Sequence, residues 1–273
     1  MDNIIVIPIY KEKLNNLEKI SIDRCFEVFS QKKIVFIHSI DLDISFYQEN
    51  YRDLSYESFP SFFFNSVQSY NQLMMSYSFY KRFIRYDYML IYQTDCYVFR
   101  DELDFWSNLN YDYIGGIWFE NYTGNPEEGN KIWFAGNGGF SLRRIKKIAT
   151  LLKPLSKIEK YILSKVKDFR YFRAFLFKSL RIKDYATFLA THYKENEDVF
   201  FYELNKKNIL SVPVVDNALL FSWDRRPDFL HDLLGRLPFG AHGWCRTDKP
   251  YENNLCFWEK IIDTEGTPTN ELN

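Results

Sequence analysis

The chain has 273 residues and a mass of 32.9 kDa, and its 35 basic and 36 acidic side chains leave a formal net charge of −1. A chain of this length buries most of its unfolded surface, and 46% hydrophobic with 26% charged residues is an ordinary globular composition. These figures exclude a disordered or fibrous chain, and the near-zero charge excludes a general nucleic-acid binder, whose surface must be strongly basic.

Aromatic side chains are unusually frequent, with 26 Phe, 20 Tyr and 6 Trp making up 19% of the chain. Most Phe rings belong in the core, whereas Tyr and Trp join an apolar ring to a polar tip and suit contacts with sugars, bases or a membrane surface. The four cysteines are scattered without a C-x-x-C pair. This spacing favours neither a zinc site nor a disulfide framework, and it indicates a reducing compartment.

Two sequence patterns bear on the location of the protein. The first residues lack the basic region and the long apolar stretch of a signal peptide, and no apolar run approaches the ~18–20 residues of a spanning helix. We therefore expect a cytoplasmic protein.

The first part of the chain alternates strand-like and helix-like segments. Residues 4–9 are a short β-branched run that predicts a buried strand, and apolar residues then recur at helical spacing between Leu14 and Phe29. Residues 34–37 predict a second buried strand. A strand, helix, strand opening predicts a parallel α/β sheet.

The middle of the chain continues this alternation. The pattern predicts a helix over 65–85, a strand over 88–92, a short acidic helix over 101–109 and a strand over 113–118. Glycine and proline then indicate a loop over 120–131.

The next segments surround a glycine-rich run. A strand at 133–135 is expected to enter a tight turn over 136–139, and a basic helix is expected from Leu142. Further along, the pattern predicts a helix that starts near 196–198 and a strand over 209–215.

Residues 153–183 differ in charge from the rest of the chain. Ten basic and two acidic side chains give this segment +8, so the remainder carries −9, and apolar residues are interleaved at helical spacing. The pattern is typical of an amphipathic basic helix, either a solvated face or a segment that lies on an anionic bilayer. We expect one domain over 1–262 with a basic helical insertion over 153–195, followed by a tail over 263–273.

Two candidate ligand positions lie in the first half of the chain. Asp95 follows a predicted strand, where ligands of open α/β sheets bind, so it suits a divalent metal or a ribose hydroxyl; a turn or capping role is the alternative. The run Gly136-Asn137-Gly138-Gly139 lets the backbone approach a ligand, unless it is simply a turn.

Two further candidates lie in the second half. Glu197 and Asp198 stand at the start of a predicted helix, where acids interact favourably with the helix dipole; either carboxylate also suits a general base. His242 is flanked closely by glycines, a setting poor for packing and good for reaching a metal or a phosphate, although a lone histidine is more often structural.

In this order the motifs resemble one known family. The resemblance rests on Asp95 after its strand and on residues 111–115, 136–143, 196–200 and 238–244. It spans about residues 4 to 262. The family comprises bacterial glycosyltransferases with a GT-A-like fold, found among capsule and O-antigen (lipopolysaccharide) synthesis genes and long catalogued as a domain of unknown function. The resemblance implies a Rossmann-like α/β fold with a mixed, mostly parallel sheet flanked by helices.

The resemblance also implies an activity and its ligands. The protein would be a hexosyl- or pentosyltransferase that uses a nucleotide-sugar donor and a saccharide acceptor, lipid-linked at the inner face of the membrane, where residues 153–183 would allow peripheral association. Many GT-A enzymes hold Mn²⁺ or Mg²⁺ with an Asp-x-Asp tripeptide. Residues 93–95 or 95–97 would take that place here with one acid, so Asp95 acts alone or through a metal, with His242 as a further metal ligand.

Roles for individual residues follow from the same resemblance. Asp198, with Glu197 as the alternative, would be the base of an inverting transfer. The donor-binding residues would be Pro8, Tyr10, Asp95, Trp118, Gly138, Gly139 and His242. The departing diphosphate accumulates negative charge, which these groups would stabilise.

Two other functions use the same residues. A hydrolase would direct the carboxylates at water and split a nucleotide sugar or a glycoside. A non-catalytic carbohydrate-binding protein would need only the aromatic side chains.

Overall fold

Apolar side chains cover both faces of the first strand, β1 (Asn3–Pro8). Ile5 and Ile7 contact one hydrophobic core, while Ile4 and Val6 contact a second core on the opposite face. Successive side chains of a strand point to opposite faces, so an uninterrupted apolar run is stable only where both faces are covered. The β-branched run at the N-terminus therefore becomes a central strand.

The computed structural model describes residues 1–51, 54–120, 131–154, 190 and 193–265. The remaining strands in these ranges are β2 (Lys33–Ser39), β3 (Ser55–Phe59), β4 (Tyr88–Tyr92), β5 (Tyr97–Val98), β6 (Tyr113–Phe119), β7 (Ile132–Arg144), β8 (Ser222–Trp223) and β9 (Gly240–Ala241). The helices are α1 (Asn16–Val28), α2 (Ser45–Asn50), α3 (Val67–Met74), α4 (Tyr77–Arg82), α5 (Leu103–Asn108), α6 (Ile145–Leu152), α7 (Glu197–Lys206), α8 (Val215–Ala218), α9 (Pro227–Leu234) and α10 (Asn254–Glu265), with a 3₁₀ turn at Ser61–Phe64.

Within the described ranges these strands form one sheet in the order β3-β2-β1-β4-β7-β6-β8-β9-β5. The first four strands are mutually parallel, and β8 is parallel to both β6 and β9. β7 is antiparallel to its neighbours β4 and β6, and β5 is antiparallel to β9. The expected mixed, mostly parallel sheet flanked by helices is confirmed.

The predicted turn over residues 136–139 is wrong, because these glycines lie inside the 13-residue strand β7. The expected start of a helix at Leu142 is wrong for a related reason. Leu142 is paired with Leu90 of β4 and Ile114 of β6, so the strand continues and α6 begins only at Ile145.

Two other segments differ from their predicted boundaries. The helix expected over 65–85 is divided, because the Ser76 side chain accepts a hydrogen bond from the Phe79 N–H (3.2 Å) and caps a second helix, α4. Residues 209–215 form no strand; Ser211 instead exchanges hydrogen bonds with Asp112 beside the start of β6 (2.7 and 2.9 Å).

Most of the predicted basic insertion, residues 155–189 and 191–192, lies outside the described residues, as does the end of the predicted tail, 266–273. α10 extends to Glu265, so the expected boundary between 262 and 263 falls inside a helix. Among the described helices, none has the length and apolar character that crossing a bilayer requires.

The contact between β6 and β7 generates a testable prediction. A Cβ atom at Gly115 would overlap the backbone of Asn137 and Gly136, whereas at the next residue, Gly116, it would be 3.2 Å from the Asn137 side chain. We expect Gly115→Ala to lower the free energy of unfolding by about 1–3 kcal/mol, because two hydrogen-bonded strands cannot easily separate to make room. Urea-induced unfolding measures the loss, with Gly116→Ala as the matched control. Equal stability of the two variants would contradict this close approach of the strands.

Candidate functional site

A cavity of about 500 Å³ opens beyond the carboxyl ends of β1 and β4. Its walls come from the segments after these two strands, the glycines of β7, the start of α3, the start of α7 and the segment after β9. Seven of the residues predicted for the site line it: Tyr10, Asp95, Gly138, Gly139, Glu197, Asp198 and His242. The fold thus brings together residues from five distant parts of the sequence.

The first turn of α7 brings two carboxylates to this cavity. Glu197 and Asp198 are 5% and 6% exposed, so both are almost completely withdrawn from water. Glu197 accepts a 2.9 Å hydrogen bond from Nη2 of Arg143, a fully buried side chain on β7. Asp198 accepts a 2.8 Å hydrogen bond from the backbone N–H of Val199. The two neighbouring acids therefore have different partners.

This difference appears in the protonation of Asp198. Burial raises the pKa of Asp198 to about 8, and the negative charge of Glu197 adds to the rise. The hydrogen bond from Val199 and the positive charge of Arg143 lower that pKa without offsetting the first two effects. Asp198 is consequently a carboxyl group that exchanges its proton near neutral pH, as a general base requires.

Asp95 and His242 meet in space, as predicted, although the sequence separates them widely. Strand β5 follows Asp95 and pairs with β9, which directly precedes His242. The backbone N–H of Trp244 also donates to the Asp95 carbonyl (3.1 Å). As a result, Oδ1 of Asp95 lies 3.5 Å from Nε2 of His242.

His242 is held between acceptors on both sides of its ring. Nδ1 lies 2.8 Å from Oδ1 of the buried Asp224, and Nε2 lies 3.1 Å from Oε1 of Gln93. Burial by itself would lower the pKa of His242. The negative charges of Asp95 and Asp224, with the hydrogen bond to Asp224, outweigh burial and raise that pKa to about 9. The positive charge of Arg246 lowers the pKa of His242 too little to reverse this rise, so the ring is an imidazolium at neutral pH while no metal ion is bound to it.

The two predicted glycines make room for these side chains. A Cβ atom at Gly138 would overlap the Glu197 carboxylate, and one at Gly139 would overlap the His242 ring. Both glycines are thus explained by close packing of functional side chains against β7, rather than by a turn. No side chain larger than hydrogen fits at either position without displacing an acid or the imidazole.

Aromatic rings form another wall of the cavity. Tyr10 follows β1, is 42% exposed and contacts Tyr70 edge to face, with ring centres 5.5 Å apart. Phe64 lies 5.9 Å from Tyr10. Tyr70 is 5% exposed, and its hydroxyl makes no hydrogen bond of ordinary geometry within the described residues. This wall combines an accessible ring with a buried hydroxyl that also borders the cavity.

Two predicted donor-binding residues do not line the cavity. Pro8 is the buried last residue of β1 and pairs with Ile37 of β2, so the chain reaches the cavity only at Tyr10. Trp118 packs in an aromatic cluster instead, with its ring 5.8 Å from that of Trp133 and stacked at 23°. Neither side chain borders the cavity that the other seven predicted residues line.

Other residues of the site had no assigned role in the sequence. Gln93 was visible only as the first residue of the tripeptide that ends in Asp95. Arg143 could have been found as a charge inside an apolar strand. Asp224 and the cavity-lining Arg246 gave no signal, because only the fold brings Asp224 to His242 and Arg246 to Asp95.

The donor atoms around His242 bear on the divalent ion that the family resemblance implies. Among the described residues, no three His, Cys, Asp or Glu side chains form a metal-binding group. A set of two acidic or imidazole ligands and one amide is present, however, because Asp95 Oδ1 and Gln93 Oε1 both face His242 Nε2. Oxygen and imidazole donors suit Mn²⁺ or Mg²⁺, and the Asp224 carboxylate would orient the ring. The residues fit such an ion.

Three solved structures that resemble this chain are named as glycosyltransferases. One is involved in the glycosylation of the major capsid of PBCV-1 (11% identity, TM-score 0.44, 88% of this chain and 92% of that chain). The apo-form GlyE of Streptococcus pneumoniae TIGR4 has 12% identity and a TM-score of 0.48, over 97% and 63% of the chains. The galactosyltransferase LgtC, in complex with donor and acceptor sugar analogs, has 13% identity and a TM-score of 0.48, over 96% and 94%.

No curated protein matches the sequence. A family model does match, over residues 53–242, and its description is a protein of unknown function, DUF5672. Since this match covers well over half of the chain, the protein belongs to the DUF5672 family.

Proposed function

We propose that this protein is a glycosyltransferase that transfers a sugar from a nucleotide-sugar donor to a hydroxyl group of a saccharide acceptor, with inversion at the anomeric carbon. The observation that carries the proposal is the position of Asp198, a buried carboxyl group with a raised pKa at a cavity that also holds aromatic and cationic groups. One cavity therefore contains a base, a surface for a nucleobase and groups for a diphosphate.

The donor would be bound by groups from both sides of the β1–β4 edge. The exposed ring of Tyr10 offers a stacking surface for the base, and the Tyr70 hydroxyl offers a hydrogen-bonding group. His242 and Arg246 border the part of the cavity near Asp95 and suit a diphosphate. Gly138 and Gly139 line the cavity beside Glu197 and His242, which pack into the room left by the missing Cβ atoms, so all four residues would border the transferred sugar.

A divalent ion would be held by Asp95, Gln93 and His242. When bound, it would neutralise negative charge on the departing diphosphate. Binding of an ion at Nε2 of His242 requires the neutral ring. The remaining N–H at Nδ1 would then donate a hydrogen bond to Asp224. Asp224 thus fixes the tautomer that a metal ligand needs.

Asp198 would take the proton of the acceptor. As the acceptor oxygen bonds to the anomeric carbon, the bond to the diphosphate breaks and its electron pair leaves with the phosphate oxygen. The acceptor proton then passes to the Asp198 carboxylate. Glu197, ion-paired with Arg143, is less suited to this step, because protonation would break a buried ion pair.

The finer parts of the proposal concern the acceptor. The resemblance stated above supports surface polysaccharide synthesis, such as capsule or O-antigen, with a lipid-linked saccharide as acceptor. The +8 charge of residues 153–183 supports access to an anionic membrane surface, since each basic residue near such a surface contributes about 1 kcal/mol.

The first prediction concerns Asp198→Asn. This change keeps the shape of the side chain and an acceptor for the Val199 N–H but removes basicity, so turnover should fall on the order of 10²–10⁴-fold with little change in donor affinity. Release of nucleoside diphosphate from a panel of UDP-, GDP- and dTDP-sugars, with and without a saccharide panel, measures turnover.

The matched control is Glu203→Gln on the same helix, a half-buried carboxylate that does not line the cavity, and this variant should retain full turnover. Wild-type turnover in Asp198→Asn would contradict the role of this residue. Release that is equally fast without any saccharide would replace transfer by hydrolysis.

The second prediction is the pH dependence of the wild-type reaction. The Asp198 base must be deprotonated, and its pKa is raised to about 8, so kcat/KM should rise with pH up to an apparent pKa near 8. Initial rates between pH 5 and 10 at fixed ionic strength provide the measurement. A plateau that already begins near pH 5 would show that the reacting carboxyl group has an ordinary pKa.

The third prediction concerns the ion. Mn²⁺ should raise the melting temperature of the wild-type protein, and more so with UDP present, because a ligand that binds the folded state stabilises it. Asp95→Asn and His242→Ala should each remove this shift, whereas His231→Ala on α9 should retain it. An unchanged Mn²⁺ shift in the first two variants would place the ion elsewhere.

A further inference from the structure

Strand β7 carries a charged side chain in the interior of the protein. Arg143 has no exposed surface, and the rings of Tyr113 and Phe201 lie 5.6 and 5.2 Å from its guanidinium carbon. Burying a charge is costly unless it is paired and hydrogen-bonded. The partners of Arg143 therefore indicate what the charge is used for.

All three guanidinium nitrogens of Arg143 donate hydrogen bonds. Nε donates to the Ser141 hydroxyl (3.0 Å) and Nη1 to the Tyr80 hydroxyl (3.2 Å). Nη2 is shared between the Gly138 carbonyl (3.3 Å) and the Glu197 carboxylate (2.9 Å). Through these two hydrogen bonds, the single nitrogen Nη2 connects β7 to the first turn of α7.

The ion pair with Glu197 is a poor device for stability alone. Replacement of a buried ion pair by apolar or neutral side chains is often neutral or stabilising, because the desolvation cost of two charges is removed. Stability alone therefore does not explain why the pair is present.

The geometry of the pair explains more. Glu197 lies against Gly138 so closely that a Cβ atom on the glycine would overlap its carboxylate. Arg143 holds both of these residues through Nη2, so Glu197 has one position relative to the strand. Asp198 is the next residue, and the direction of its side chain depends on that first turn of α7.

The charges around Asp198 give the pair an electrostatic effect as well. The groups that act on Asp198 are Glu197 beside it, Asp224 after β8 and Arg143 on β7, and the ring of Tyr113 on β6 also lies close. Of the three charged groups, the neighbouring Glu197 has the strongest influence and Arg143 the weakest. An ionised Glu197 therefore favours the proton on Asp198.

We propose that Arg143 is a positioning residue of this site: by clamping Glu197 to Gly138 it fixes the first turn of α7, and by pairing with the Glu197 carboxylate it leaves Asp198 as the member of the acid pair that exchanges a proton. The inference rests on the proposed function, because its catalytic consequence is the transfer for which Asp198 is the base.

The test is the double variant Arg143→Met, Glu197→Gln, which removes both charges together. The structure predicts that it folds, because the acceptors of Arg143 keep other partners. The Gly138 carbonyl still accepts from Ser141 (2.8 Å), and the Tyr80 hydroxyl still donates to the Met74 carbonyl (2.9 Å). Its melting temperature should stay within a few degrees of wild type.

Turnover of the double variant should fall at least tenfold. The acid limb of its pH profile, which is the rise of kcat/KM with pH, should move to lower pH. The direction follows from the charges: loss of Glu197 lowers the pKa of Asp198 more than loss of Arg143 raises it. The neighbouring Arg144→Met, which loses partly exposed contacts with Asp112, Asn110 and the Tyr88 ring outside the cavity, should change neither quantity. Wild-type turnover with an unmoved acid limb in the double variant would overturn the proposal.

Arg143→Lys provides a second variant that keeps the charge but replaces the planar group of donors by one ammonium. We expect reduced kcat with an acid limb close to that of wild type, because the charge stays and the clamp is lost. Full wild-type kcat in Arg143→Lys would equally overturn the positioning role, whether or not the double variant folds.

A stability measurement separates this inference from the proposed function. A carboxyl group with a raised pKa in the folded state binds a proton that the unfolded state releases, so the free energy of unfolding falls as pH rises from about 4 to 8. The double variant should show a smaller fall, and Arg144→Met the wild-type fall. If no nucleotide sugar is a substrate, the proposed function fails, but this stability comparison still tests Arg143. An identical fall in the free energy of unfolding in the double variant and in wild type would reject the electrostatic role of Arg143.

Discussion

The absence of two Cβ atoms in the middle of β7 is the constraint on which the rest of the site depends. Gly138 allows the Glu197 carboxylate to reach the strand, and Gly139 does the same for the His242 ring. Glu197 begins α7 and His242 follows β9, and both segments lie far from β7 in the sequence. Because a sheet backbone is rigid, contact with the same two adjacent residues fixes the helix α7 and the segment after β9 relative to each other.

This close packing forces charges into the interior, and each charge is placed against a specific partner. Arg143 pairs with Glu197, and Asp224 with His242, while Asp198 has only a backbone N–H and the influence of its neighbours. A buried acid without a cation bonded to it keeps its proton up to a higher pH. The same arrangement that pairs the other buried charges therefore leaves one carboxyl group ready to exchange a proton.

The local pattern of the sequence predicted the parallel strands well, because a run such as residues 4–9 or 88–92 is apolar and β-branched and needs no distant information. The glycine run was misinterpreted, since glycines in a turn and glycines beneath a packed side chain look alike in one dimension. The packing of Trp118 could not be predicted locally, because its stacking partner Trp133 belongs to another strand. Asp224 became visible only through its contact with His242.

The place of the cavity follows from the order of the strands. After β1, the chain adds β2 and β3 on one side of that strand and then adds β4 on its other side. The order in which strands are added to the sheet therefore reverses between β1 and β4. In open α/β sheets a crevice forms at such a point beyond the carboxyl ends of the strands. Here the β1 side supplies Tyr10 and the β4 side supplies Asp95, so an aromatic wall and a polar group border one opening. A ligand that joins an aromatic base to a charged diphosphate matches that division, and the carboxylates of α7 complete the cavity on the β7 side.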